Sequence, residues 1–165
     1  MLRKQTITDL EDPSCFHFKE LWLSSDDSDE QKLLELFCFG TIGDVPEHMS
    51  ISPLMWRKMT KLTLLGLATE ARSLKYSYVM EQCRLRNGEE VEETFIALQG
   101  LIDFQIDSVE STIKILQCFD CRDVYGGERD LLLLHDVVPT KLTLIRDLLR
   151  WKDKLAREIY DNKYT

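Results

Sequence analysis

Hydrophobic residues in the middle of the chain repeat first with the period of a helix and then with that of a strand. Over residues 54 to about 72 they recur at three- and four-residue intervals, which predicts a helix buried on most of its sides. Two shorter helices are predicted over residues 76–85 and 89–103, the first of them ending at the Asn87-Gly88 pair. Three successive helices are therefore expected in the centre of the chain.

A strict alternation of apolar and polar residues follows the third helix. Phe104 and Ile106 have polar neighbours, and after a polar tip the pattern resumes at Ile113 and Ile115. These positions predict two strands joined as a hairpin. Residues 119–124 either extend the second strand or form a third one.

Three helices followed by a hairpin have the element order of a winged helix, which here spans residues 52–121. So small a sheet keeps an open edge unless another segment covers it, and an open edge is a docking site for a strand of a partner. We therefore predict a protein interface at this sheet edge, formed by Thr112, Lys114, Leu116 and Gln117.

The first part of the chain predicts short helices ahead of the winged helix. Asp12 followed by Pro13 is typical of a helix N-cap and first turn, and an aromatic segment comes next. Ser28 and Gln31 have the spacing of a capping box, which predicts a helix over residues 29–39. The chain is thus divided into an N-terminal helical segment, a winged-helix part, and a linker with a C-terminal helix, at residues 1–50, 51–125 and 126–165.

A long amphipathic helix is predicted from Pro139-Thr140 to about Tyr160. Its apolar residues recur with helical spacing while Lys and Arg occupy other positions, so this helix needs an apolar partner. Packing on its own domain and joining a bundle with helices of other chains are both compatible with the pattern. In a bundle, its contact residues would be Leu142, Ile145, Leu149, Trp151, Leu155 and Ile159.

Charge favours a protein partner over a nucleic acid. The 165 residues are 44% hydrophobic, which supports a folded core, and they carry 29 acidic and 21 basic side chains for a formal net charge of −8. In a DNA-binding winged helix the third helix enters the major groove, yet residues 89–99 contain four glutamates and no Lys or Arg. Phosphates would repel such a helix. A DNA-binding regulator is therefore the less favoured alternative.

Residue types that carry catalysis do not form a recognisable site. His17, His48 and His135 form neither a His-x-His pair nor an HExxH sequence, and no glycine-rich phosphate loop is present. Cys118 and Cys121 match CxxC, but without a second pair of ligands we interpret them as small core residues, and all five cysteines as reduced thiols. We therefore predict no catalytic residue, cofactor or metal, and no enzyme.

Hydropathy indicates where the protein acts. No apolar stretch reaches the length of a membrane span, and the first residues lack the apolar core of a signal peptide. The acidic balance is also unsuited to anionic membrane surfaces. The expected location is therefore the cytoplasm and nucleus.

Five short sequences, taken together with their order and spacing, resemble a known family. They are EDP at 11–13, HFKELWL at 17–23, LELFCFG at 34–40, KLTL at 61–64 and FDCRDVY at 119–125. The chain resembles the PCI domain, the helical and winged-helix module found in the COP9 signalosome, the proteasome lid and translation initiation factor three. The resemblance is most specific to the smallest PCI subunit of the signalosome in budding yeasts.

This resemblance implies a non-catalytic scaffold. PCI subunits associate through their winged-helix sheets and through a bundle of C-terminal helices, and the assembled signalosome removes the ubiquitin-like modifier from cullins. The implied partners are other PCI-domain signalosome subunits and, indirectly, cullin-RING ubiquitin ligases. Only about 50 residues precede the winged helix, where typical PCI subunits carry long helical repeats, so a peripheral subunit is expected. A PCI subunit of a lid-like or messenger-export complex is the alternative.

Overall fold

The computed structural model describes residues 3–161. Within them the chain is mainly helical with one small antiparallel sheet, as the sequence predicts. The helices are α1 (Lys4–Glu11), α2 (Lys19–Ser24), α3 (Ser28–Phe39), α4 (Pro53–Glu70), α5 (Tyr76–Cys83), α6 (Gly88–Ile96) and α7 (Lys141–Asp161), and the strands are β1 (Ser73–Lys75), β2 (Ile102–Asp107) and β3 (Thr112–Cys118). None of the described helices is both long and apolar enough to cross a lipid bilayer.

The sheet has the order β1-β3-β2, with β3 antiparallel to both neighbours. The hairpin of β2 and β3 confirms the predicted alternation, and Ile106 pairs with Ile113. The third strand is β1, so the expectation that residues 119–124 extend the second strand or form a third is wrong. Three residues are too short to display a period, and Leu74 alone in β1 is buried.

The turn between α5 and α6 differs from its prediction. Asn87 does not end α5; its side chain accepts a hydrogen bond from Glu90 N and so caps the start of α6. Arg84 ends α5 instead, in the left-handed conformation with φ 52°. Helix α6 ends at Ile96 rather than near residue 103, because the backbone turns at Gly100, with φ 102°, before β2 begins.

The N-terminal helices also begin at other residues than predicted. Asp12 follows α1 and closes a turn, since its carboxylate accepts from Ser14 N at 2.8 Å, and α2 begins only at Lys19. Asp27, not Ser28, caps α3 by accepting from two backbone N–H groups. Ser52 caps α4 by accepting from Met55 N at 3.2 Å.

One hydrophobic core joins the N-terminal helices to the winged helix. Its buried side chains extend from Leu10 to Leu134 and include both Phe37 of α3 and Met59 of α4. Each such side chain stabilises the fold by about 1.5–3 kcal/mol through removal from water. Residues 3–50 therefore form a layer against α4 and do not stand apart from it.

Candidate protein-interaction surfaces

After β3 the chain turns back over the N-terminal helices. Residues 119–140, here called the return segment, contain no helix or strand and lead to α7. Tyr125 of the return segment packs edge-on against Phe39 and Trp22, at centroid distances of 5.5 and 6.3 Å. The return segment therefore fixes the position from which α7 leaves the folded core.

Charged groups of the return segment hold the start of α2. The Asp123 carboxylate accepts from the backbone N–H of Phe18 and of Lys19, at 2.6 and 3.0 Å, and so caps that helix. The two ring nitrogens of His17 lie 3.1 Å from Asp123 and 2.9 Å from Asp120. Both contacts are hydrogen bonds only when the ring is doubly protonated. Accordingly the pKa of His17 is raised, chiefly by its hydrogen bond to Asp120, although burial opposes this.

A buried carboxylate and a half-buried arginine complete the attachment. Glu35 in α3 accepts hydrogen bonds from three consecutive backbone N–H groups, those of Leu132, Leu133 and Leu134, at 2.8, 2.9 and 2.5 Å. Arg122 donates to the carbonyl of Phe37 at 3.1 Å, and burial lowers the pKa of its guanidinium to about 10. Residues nearly 100 positions apart are thus linked through side chains that carry charge.

Helix α7 leaves its apolar half exposed. The six predicted contact residues are all solvent-exposed, from 36% for Leu155 to 78% for Leu142. At 100° per residue they occupy one half of the helix surface, and the other half carries Arg146, Asp147, Arg150, Asp153, Lys154, Arg157 and Glu158. The sequence allowed two arrangements, and in the described structure none of these six side chains is buried against the chain's own domain.

Two residues of this apolar half are absent from the predicted contact set. On the helix surface Leu144 lies between Trp151 and Leu155, and Leu148 lies between Leu155 and Ile159; they are 52% and 62% exposed. They also line a groove against Tyr125 and the glycines that follow it. The helical period of the sequence already includes Leu148 in the apolar stripe and, applied to every apolar residue from Leu142 onward, would also have found Leu144.

The sheet topology places two of the four predicted sheet-edge residues between neighbouring strands and the other two at an exposed end of β3. Thr112 and Lys114 lie in the central strand, between β1 and β2, so their placement at an open edge is wrong. The pairing with β1 ends at Lys114, and Leu116 is the extra residue of a bulge in β3. Leu116 and Gln117 are exposed at this end, and their role as contact residues stays a prediction.

The cysteine pair has a different environment from that predicted. Cys118 ends β3 half-buried and lies 3.5 Å from the carbonyl of Ala68, but Cys121 is exposed, so its interpretation as a core residue is wrong. Burial raises the pKa of Cys118, which disfavours the reactive thiolate. Within residues 3–161, no group of three or more His, Cys, Asp or Glu side chains is arranged to hold a metal.

These elements define a class of protein. Helices α4, α5 and α6 with the three-stranded sheet form a winged-helix-like fold of the PCI type, preceded by short helices and followed by one long amphipathic helix.

Relatives narrow this class to one family. The chain is 38% identical to COP9 signalosome complex subunit 9 of Saccharomyces cerevisiae, over 98% of this chain and 99% of the relative. It is also 38% identical to the protein of that name in Eremothecium gossypii, over 96% and 99%, and 31% identical to that of Kluyveromyces lactis, over 94% and 99%. No protein-family model matches the chain. The chain belongs to the family of COP9 signalosome complex subunit 9.

Proposed function

We propose that this chain is a non-catalytic assembly subunit of a COP9 signalosome, and that in the complex it supports removal of the ubiquitin-like modifier from cullins. The family to which the chain belongs supports this proposal. The observation that carries it is the exposed apolar half of α7, which the described part of the chain leaves uncovered. An amphipathic helix of this kind is stable when a partner covers its apolar half.

In this proposal α7 joins a bundle with helices of other PCI-domain signalosome subunits. The return segment presents α7 at a defined position. Glu35 accepts hydrogen bonds from the backbone of the return segment, and Asp123 of the return segment accepts hydrogen bonds from the backbone at the start of α2. The exposed end of β3, with Leu116 and Gln117, is the second proposed contact. Cullin-RING ligases are indirect partners, and the protein acts in the cytoplasm and nucleus.

The experiment is affinity purification of the tagged chain from cells that lack the endogenous protein. The test variant carries Leu155→Glu and Ile159→Glu. A matched control carries Lys154→Gln and Arg157→Gln, which changes the net charge by the same amount on the polar half of the helix. Burial of two aliphatic side chains contributes about 3–6 kcal/mol, so the first variant should lose its partners.

Each outcome has a definite meaning. The parent chain and the control should co-purify with other signalosome subunits, and the parent should restore normal cullin modification. The first variant should fail in both assays yet unfold at the same urea concentration as the parent, since these side chains do not pack on its own core. Purification of subunits from another PCI complex, or normal cullins in cells without the chain, would refute the proposal.

A further inference from the structure

A groove rich in positive charge lies on this otherwise acidic chain. It runs between α4, the connection from α5 to α6, and α6, and its volume is about 570 Å³. Two acidic side chains, Glu90 and Glu93, line it against four basic ones: Arg57, Lys61, Arg84 and Arg86. The groove is therefore locally positive on a protein whose formal net charge is −8.

Three of the four cations have no acidic partner within residues 3–161. Arg86 is paired with Glu90 at 2.6 Å, so these two side chains neutralise each other. Arg57, Lys61 and Arg84 form no ion pair with any residue that the structure describes. Like charges that share one groove repel each other, and an anion that enters it relieves the repulsion.

The backbone at Arg84 is unfavourable for an arginine. Its φ of 52° and ψ of 42° lie in the left-handed region, where Gly or Asn is the usual helix C-cap. In this conformation the guanidinium lies over the ring of Trp56, 5.9 Å from its centroid, at the wall of the groove. The chain thus places a cation at a position where the local backbone favours glycine.

The remaining lining determines which anion fits. Trp56 and Leu85 are half-buried and, with Ala97, give the groove an apolar wall. The exposed carboxylate of Glu93 accepts hydrogen bonds, which the backbone N–H groups of a peptide donate. The phosphate groups of a nucleic acid have no such donor and are repelled by Glu93.

We propose that this groove binds a short acidic peptide segment of a partner protein. Carboxylates of the segment pair with Arg57, Lys61 and Arg84, and an apolar side chain of the segment packs against Trp56. The proposal does not depend on assembly through α7, because none of the residues that line the groove lies in α7.

The test measures fluorescence anisotropy of a labelled peptide of glutamates and aspartates around one central phenylalanine, titrated with the full chain. Arg84→Gly should weaken binding about tenfold or more through loss of one charged contact. The same variant should unfold at an equal or higher urea concentration, because glycine fits the left-handed backbone. Loss of affinity would then not arise from loss of folding.

The matched control is Ser111→Gly. Ser111 is the other described non-glycine residue with a positive φ, at 50°, and it lies in the β-hairpin away from the groove lining. This variant should keep the parent's affinity. Unchanged affinity of Arg84→Gly, equal loss in both glycine variants, or tighter binding of a single-stranded oligonucleotide than of the peptide would each overturn the proposal.

Discussion

Replacement of Glu35 by glutamine tests whether one buried carboxylate holds the return segment in place. One oxygen of this carboxylate accepts from Leu133 N and Leu134 N, and the other accepts from Leu132 N. Glutamine has the same size, but an NH2 group takes the place of one oxygen. That group has no acceptor site and would face a backbone N–H, because only donors surround the carboxylate among these contacts.

The magnitude follows from these three hydrogen bonds. A hydrogen bond to a charged group contributes about 1.5–3 kcal/mol net. Glu35→Gln removes at least one of the bonds and takes the charge from the others, so we expect the free energy of unfolding to fall by about 2–4 kcal/mol. Because a domain of this kind is stable by only about 5–15 kcal/mol, the loss is easily measured.

The assay is equilibrium unfolding in urea, followed by tryptophan fluorescence, to which Trp22, in the core beside Tyr125, contributes together with Trp56 and Trp151. Glu20→Gln, at an exposed position of α2, is the matched control and should change the stability little. Trypsin should also cleave the Glu35 variant faster after Arg129, whose guanidinium donates to Ser25 O at 2.8 Å in the intact protein. A loss below about 0.5 kcal/mol would show that this carboxylate is not what anchors the return segment.

Two further predictions concern a histidine and a pair of glycines. The pKa of His17 is raised above its ordinary 6.5 in the folded protein, so its contribution to stability is complete below that pH and is lost as the pH rises through the folded value. When the pH is raised from about 6 to about 8, the urea midpoint should therefore fall by more in the parent than in His17→Asn. An equal fall in both would contradict the stabilising hydrogen bonds of His17 to Asp120 and Asp123. Gly66→Ala should raise the free energy of unfolding by about 0.5–1 kcal/mol, because its methyl group would lie 3.7 Å from Arg122 in ordinary contact. Gly88→Ala should lower the free energy of unfolding by about 1–3 kcal/mol, since its methyl group would lie 2.8 Å from the buried ring of Tyr76, whose hydroxyl donates a hydrogen bond to Glu92. A shift of the thermal unfolding temperature in the same direction for both alanine variants would contradict the prediction that only position 66 has room for a methyl group.

The positions of the candidate contact residues show which structural features a local sequence pattern cannot predict. The sequence predicted the hairpin and α7 with its apolar residues, but it placed Thr112 and Lys114 at a free edge. Their strand is central because β1 pairs with it, and the three residues of β1 are too few to show a period. The groove at Arg84 was not predicted, since its cations lie on different elements and only the α5 C-cap brings Arg84 to Trp56.

By itself, the sequence determined the three central helices, the hairpin that follows them and the amphipathic character of α7, because each depends on residues only a few positions apart. The tertiary structure alone decided how the return segment meets the N-terminal helices. Asp123 caps a helix that begins at Lys19, and Glu35 binds the backbone at Leu132 to Leu134. Hydrogen bonds between residues about 100 positions apart leave no periodic trace in the sequence, so only the folded chain reveals them.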